Sequence, residues 1–305
     1  MAAPFRVACI GECMVELSLR GDGDTARVDF AGDTYNTAVY LRRTSGPEVT
    51  VAYVTALGRD GLSKRMIDRF AQEGLETELV ERRADRVPGL YAIATDADGE
   101  RSFTYWRDSS AARTLFLPPA AVTPERLSGF DLVYLSGITL AVLAPEARTA
   151  LIAFLERFRA DGGRVAFDSN YRPALWPAAA EARDAMVALW RLADIGLPSL
   201  DDEIALFGDS DSAAVLARLV ELGVATGALK RGADGPLPIG EAGTLPAFLA
   251  AERVVDTTAA GDSFNGAYLA ALIGGRPPAE RLAEGHALAS RVIGHPGAIL
   301  PRGNG

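Results

Sequence analysis

Short apolar runs and helical stripes of apolar residues alternate along most of the chain. Residues 7–10, 49–57, 131–136, 165–168, 195–198 and 225–230 are brief apolar runs, read as buried strands. Between them apolar residues recur at helical spacing. Ala147, Leu151, Phe154, Leu155 and Phe158 fall on one stripe. Met186, Leu189 and Trp190 form a second, and Leu216, Leu219 and Val220 a third. Strands alternating with such helices predict right-handed crossovers and an α/β fold with a doubly wound, mostly parallel sheet. Two stretches break the rhythm. Residues 16–30 alternate around Arg20-Gly-Asp-Gly-Asp24, and residues 75–106 around Asp96-Ala-Asp-Gly99. Asp-Gly between alternating runs signals a hairpin. The expectation is a single domain over residues 1–305, with a small antiparallel β lid inserted at about 16–31 and 86–107.

Composition narrows the function classes. At 305 residues and 49% hydrophobic, the chain has ample apolar area for a core and is unlike disordered or collagenous sequences. Its net charge of −9 is the wrong sign for replacing counterions along nucleic acid. No stretch approaches the ~18 apolar residues of a membrane span, and the opening residues run straight into a strand pattern without a signal peptide's apolar core. Cys9 and Cys13 are the only cysteines, so no disulfide framework is expected. Four residues apart, they could be half a metal site, but two small buried residues at a strand end is the better reading. The expectation is a cytoplasmic protein with neither a nucleic-acid nor a membrane partner.

The most informative segment is Val254-Val-Asp-Thr-Thr-Ala-Ala-Gly-Asp-Ser-Phe-Asn-Gly266. Small residues lead into a helix whose apolar side runs through Phe264, Tyr268, Leu269 and Leu272. They let the backbone N–H groups of Ala259, Ala260 and Gly261 converge at a helix N-terminus, where free donors and the helix dipole both favour an anion. Asp262 stands in that first turn. Alone it would be an ordinary capping aspartate. A carboxylate beside an anion cradle suits phosphoryl transfer, which needs donors for the moving phosphoryl and a base for the attacking hydroxyl.

Asp256-Thr-Thr-Ala-Ala-Gly-Asp262 resembles the C-terminal signature of the ribokinase-like (phosphofructokinase-B) carbohydrate kinases, with Ala259 where most members have glycine. Phe30-Ala-Gly-Asp-Thr-Tyr-Asn36 is similar to the family's N-terminal glycine motif, and Leu229-Lys-Arg-Gly-Ala-Asp-Gly235 to its nucleotide segment. The likeness runs from Val7 to beyond Pro296. The resemblance implies a ribokinase-like fold, ATP and Mg²⁺ as cofactors, and a homo-oligomer. It makes Asp262 the catalytic base and residues 259–261 the anion hole. Lys230, Gly232, Gly235 and Ala287, with Ala259 and Gly261, would hold the nucleotide. Asp202 and Glu203 are weak candidates for the metal, since both ends of the family's Asn-x-x-Glu are changed in Ser199-Leu-Asp-Asp202.

Within that family, Gly32-Asp33-Thr-Tyr-Asn36, Tyr105-Trp-Arg107, Leu135-Ser-Gly-Ile-Thr139 and Asp168-Ser-Asn-Tyr-Arg-Pro173 are most similar to the 2-keto-3-deoxygluconate kinases. That substrate carries a carboxylate, which guanidinium groups bind bidentately. Arg107 and Arg172 are therefore expected to grip it. Tyr91 and Tyr105 would offer hydroxyls and ring faces, and Gly32, Asp33 and Asn36 would take sugar hydroxyls. A ribokinase or fructokinase relative acting on another sugar is the alternative, followed by a catalytically silent sugar binder. Gly261-Asp-Ser-Phe264 resembles a GDS-type esterase block with Ser263 as nucleophile. Neither His286 nor His295 has an aspartate three positions before it, so a triad lacks its base. Gly-Lys-Ser/Thr is absent, which excludes a P-loop. Gly21-Asp-Gly-Asp-Thr-Ala26 mimics a dinucleotide fingerprint but falls in a hairpin.

Overall fold

The computed structural model describes residues 3–20, 24–95, 101–240 and 243–302. The chain opens with β1 (Phe5–Ile10), β2 (Met14–Arg20), β3 (Thr25–Ala31) and α1 (Asp33–Thr44). There follow β4 (Val49–Leu57), α2 (Gly61–Gln72), β5 (Val80–Arg82), β6 (Leu90–Thr95) and β7 (Arg101–Trp106). Next come β8 (Leu132–Ser136), α3 (Gly137–Val142), α4 (Pro145–Ala160), β9 (Arg164–Asp168), α5 (Ala179–Trp190) and β10 (Ile195–Gly196). The last third holds α6 (Leu200–Phe207), α7 (Ser212–Glu221), β11 (Thr226–Leu229), β12 (Leu237–Ile239), α8 (Ala260–Ile273) and α9 (Pro278–Ile293).

Eight strands form one sheet in the order β12-β11-β10-β9-β8-β1-β4-β5, and only the β11–β12 pair is antiparallel. Helices cover both faces, as a parallel sheet requires. Successive residues of β1 accordingly serve opposite layers. Ala8 and Ile10 pack with Leu151, Phe154, Met186 and Trp190, whereas Val7 and Cys9 pack with Tyr35, Tyr53, Phe70 and Tyr268. The strand order reverses between β1 and β8, the position where open α/β sheets bind ligands beyond their strand carboxyl ends. Ser136 and Asp168 are the last residues of β8 and β9 there.

The second sheet, β3-β2-β6-β7, is built from the segments expected to form the lid. Both hairpins are antiparallel, but β2 and β6 pair in parallel, so the sheet is not wholly antiparallel as expected. The chain reaches β6 only after passing through α1, β4, α2 and β5, and that crossover permits the parallel pairing. Strand β5, within the stretch assigned to hairpins, instead extends the main sheet beside β4. Residues 21–23 and 96–100, which hold most of the two expected hairpin turns and the first half of the dinucleotide-like string, lie outside the described residues; the rest of that string leads into β3.

Two further expectations change. Val220 is 58% exposed, and Val215 takes its place on the buried face of α7 with Leu219. Helix α8 is buried on nearly every side from Ser263 to Leu272, packed against α1 and α9, and so carries no single apolar stripe. Cys9 and Cys13 are buried free thiols, and burial pushes both well above the ordinary thiol range. No helix among the described residues is long and apolar enough to cross a membrane.

Candidate active site

Helix α8 begins at the switch point, and its first turn is the hub of the site. Ala259 is its N-cap, at φ 61° and ψ 17°. That is the left-handed region, which residues other than glycine rarely adopt. An alanine in the left-handed region costs about 1–2 kcal/mol, which explains the preference for glycine there. The N–H of Ala260 closes a turn on the Thr257 carbonyl at 3.2 Å, so it is not a free donor as expected. Asp256 braces the loop by accepting from the N–H groups of Thr258 (3.0 Å) and Gly297 (2.7 Å).

Asp262 does not cap the helix. Its Oδ2 accepts from Asn36 Nδ2 at 2.8 Å, and its carbonyl accepts from the Thr37 hydroxyl at 3.2 Å, both from α1. Burial, and then the nearby Asp33 carboxyl, push its pKa up to about 7. A carboxylate poised near neutrality is a suitable general base. Gly32 caps α1 in extended backbone, and a Cβ there would lie 2.1 Å from the Glu12 carbonyl, so only glycine lets α1 approach this closely.

A cavity of about 310 Å³ opens on the Asp262 side, beneath the lid. Gly32, Asp33, Asn36, Tyr91, Tyr105 and Arg172 all line it. Asp33 accepts from Asn170 Nδ2 at 2.9 Å, and burial raises its pKa. Tyr91 stacks on Tyr105 at 5.7 Å in the cavity wall. The Tyr91 hydroxyl, however, is donated to Glu16 and leaves no proton for a ligand. Arg172 stands half-exposed at the mouth, donating to the Tyr171 carbonyl (2.7 Å) and Asp202 Oδ1 (3.2 Å).

Arg107 is placed differently from its expectation. It is buried below the lid, with Nε donating to Glu12 Oε2 at 2.9 Å and Nη2 to the same oxygen, and it is not among the cavity-lining residues. Its position just beyond the end of β7 ties that strand to the loop after β1, and a buried carboxylate there must be paired.

A second cavity of about 460 Å³ lies across the loop, walled by Pro236, Val254, Phe264, Ala289 and Ile293. Ser199, Lys230, Thr257, Ala260 and Gly261 border both cavities, so the loop is the partition between them. Gly232 lines the larger cavity; Gly235 instead backs onto Phe248, at φ 73°. Ala287 turns outward, and His286, Ala289 and Ser290 on the neighbouring positions of α9 face in. Glu203 is fully buried and accepts from Arg218 at 2.8 Å, which removes it as a metal ligand. Asp202 remains near the junction, its pKa raised by burial.

Several participants were not singled out from sequence. Asp168 ends β9 and accepts from Lys230 Nζ at 2.6 Å. Asn170, at φ 33°, orients Asp33, and Phe103 extends the aromatic stack. Asn265 bonds both Asp168 and Lys230. The available signals were the strand carboxyl end for Asp168 and, for Asn265, a place three residues beyond Asp262 on the same helix face.

Residues 5–303 match the pfkB family carbohydrate kinases, and the chain belongs to that family. It is 45% identical over 304 residues to the 2-dehydro-3-deoxygluconokinase of Escherichia coli (strain K12), covering 97% of each chain. It is 46% identical over 301 residues to that of Dickeya dadantii (strain 3937), covering 97% of this chain and 96% of the relative. A solved structure of similar fold is aminoimidazole riboside kinase from Salmonella enterica, complexed with aminoimidazole riboside and an ATP analog. Its TM-score is 0.79 at 25% identity, covering 96% of this chain and 94% of that one.

Proposed function

We propose that this chain transfers the γ-phosphoryl of ATP to the primary hydroxyl of 2-keto-3-deoxygluconate, within one catalytic domain whose four-stranded sheet is a lid over the acceptor. The observation that carries the reading is the pair of cavities meeting at residues 257–261, with Asp262 facing the smaller one. The apolar walls of the larger cavity suit an adenine, and its volume lies in the range of small-molecule sites. The near full-length likeness to two 2-dehydro-3-deoxygluconokinases supports the sugar acid.

Asn36 orients the Asp262 carboxylate towards the acceptor hydroxyl. As the acceptor oxygen bonds to the γ-phosphorus, its proton passes to Asp262 and the bond to the ADP oxygen breaks. Phosphoryl transfer depends on such positioning and on charge neutralisation. The N–H of Gly261 and the ammonium of Lys230 are the donors nearest the partition. Arg172 takes the substrate carboxylate, and the Tyr91–Tyr105 faces hold the carbon chain.

Magnesium fits as a hydrated ion carried on the nucleotide. Among the described residues no group of three or more His, Cys, Asp or Glu could hold a metal, and Mg²⁺ keeps much of its water when phosphates bind it. When bound it would neutralise phosphate charge, with Asp201, which lines the larger cavity, and Asp202 beside it as outer carboxylates. The Arg107–Glu12 pair takes away one of the two arginines expected on a sugar acid, which favours a second reading, a kinase of a neutral sugar. ADP release measured with 2-keto-3-deoxygluconate, ribose and fructose separates the two. A preference for the sugar acid is expected, and a preference for either neutral sugar overturns the assignment.

A further inference from the structure

The amide of Asn265 is fully buried within α8, where a polar side chain must be satisfied by protein. Its Oδ1 accepts from Lys230 Nζ at 3.1 Å. Its Nδ2 donates to Asp168 Oδ2 at 2.7 Å and to the Tyr134 hydroxyl at 3.1 Å. Both ends of one amide thus clamp both partners of the Lys230–Asp168 ion pair, itself 2.6 Å. The same hydrogen-bonded chain continues from Tyr134 to Thr37 and to the Asp262 carbonyl. All three partners of this amide stand on or just beyond the main-sheet strands β8, β9 and β11.

The position of that pair matters more than its strength. Lys230 borders both cavities, and its Nζ lies 3.4 Å from where a Cβ on Gly261 would stand. A lysine in this place has a long, flexible stem and a choice of carboxylates, since Asp168, Asp202 and Asp262 are all within electrostatic reach. Something must choose for it, and a planar amide with an acceptor on one side and a donor on the other can do so.

We infer that Asn265 is a positioning residue: by bonding Lys230 and Asp168 at once, it holds the ammonium at the partition between the cavities. This rests on the phosphotransferase reading above. Lys230 then meets the transferring phosphoryl there, while Asp168 keeps its charge partly matched between turnovers. Asn265 touches neither substrate and acts only through Lys230. The ammonium is also one of the groups that hold the Asp262 pKa down, against burial, Asp33 and Asp168. A displaced Lys230 therefore makes Asp262 a base that ionises only at higher pH.

The test is a double-mutant cycle on kcat with Asn265→Leu, Lys230→Met and both together, alongside the pH profile of kcat. Asn265→Leu is expected to lower kcat by about 10- to 100-fold with KM for both substrates within a few-fold, and to move the acid limb towards higher pH. In the double variant the kcat should match that of Lys230→Met alone, because removing the clamp changes nothing once the lysine is gone. Additive losses, or an unmoved acid limb in a folded Asn265→Leu protein, overturn the inference and leave Asn265 a packing residue. If Asn265→Leu does not fold, Asn265→Ser, which leaves room for water, enters the same cycle. Failure of the phosphotransferase reading would show separately, as absence of ATP-dependent product with the unmodified protein.

Discussion

Pro236, Val254, Phe264 and Ile293 wall the larger cavity, whereas Asp33, Asp168 and Asp262 face into the smaller one. The first offers mostly apolar walls, with Asp201, Lys230 and Arg231 among its lining residues. The second is rich in carboxyls and stacked rings, and the one guanidinium lining it among the described residues is Arg172 at the mouth. One turn of backbone serves both. Substitutions in the partition should therefore reduce turnover whatever the acceptor, whereas substitutions at the mouth should discriminate between acceptors.

The largest expected effect is at the partition. A positioned base contributes about 10²–10⁴-fold, so Asp262→Asn should lower kcat by that order. Titration calorimetry should find ATP affinity little changed, since the larger cavity is intact. Near-normal turnover in the folded variant would remove Asp262 from the chemistry.

The two arginines should separate next. Charge-assisted hydrogen bonds contribute about 1.5–3 kcal/mol, so Arg172→Ala should lower kcat/KM for the sugar acid by roughly 10- to 100-fold. A neutral sugar should lose much less; equal losses would place Arg172 on phosphate instead. Arg107→Ala should behave otherwise. Breaking a buried ion pair costs about 3–5 kcal/mol, because Glu12 is left charged and unpaired. A thermal melt should show the midpoint falling by several degrees, with activity lost alike on every acceptor. A stable Arg107→Ala protein impaired only on sugar acids would restore Arg107 to the carboxylate.

A smaller effect is in pH. With Asp262 pushed up to about 7, kcat should rise as pH climbs through neutrality and the base ionises. Asp33 is the principal neighbouring charge raising it, so Asp33→Asn should ease ionisation and move the acid limb to lower pH. An unmoved limb would show that another group titrates. The smallest effect belongs to Ala259→Gly. Relief of the left-handed alanine, about 1–2 kcal/mol, is partly offset by glycine's added freedom in the unfolded chain, about 0.4–1 kcal/mol. Stability and kcat should both stay close to the unmodified protein.

The parts of the site that follow from local rules were legible in the sequence. Apolar runs located the main-sheet strands around the switch point, and the small residues before Phe264 marked a helix N-terminus beside Asp262. Misjudgements came where tertiary partners decide. Arg107 sits beyond a strand end beside aromatics, as a ligand-binding arginine would, but only the fold brings Glu12 from β1's end to meet it. Ala259 has ordinary chemistry in an unusual backbone region, and nothing in its side chain reports φ. Ala287 and His286 are neighbours, and a shift of one residue around α9 exchanges solvent for cavity. The parallel β2–β6 pairing needed knowledge of the intervening crossover.

The most direct test is a competition. The protein is given ATP, Mg²⁺ and equal concentrations of 2-keto-3-deoxygluconate and fructose, and phosphorus NMR identifies the phosphomonoester formed. The account predicts one dominant product, the sugar acid phosphorylated on its primary hydroxyl, and loss of that preference in Arg172→Ala. A phosphorylated fructose as the main product, or a preference unchanged by Arg172→Ala, would contradict it.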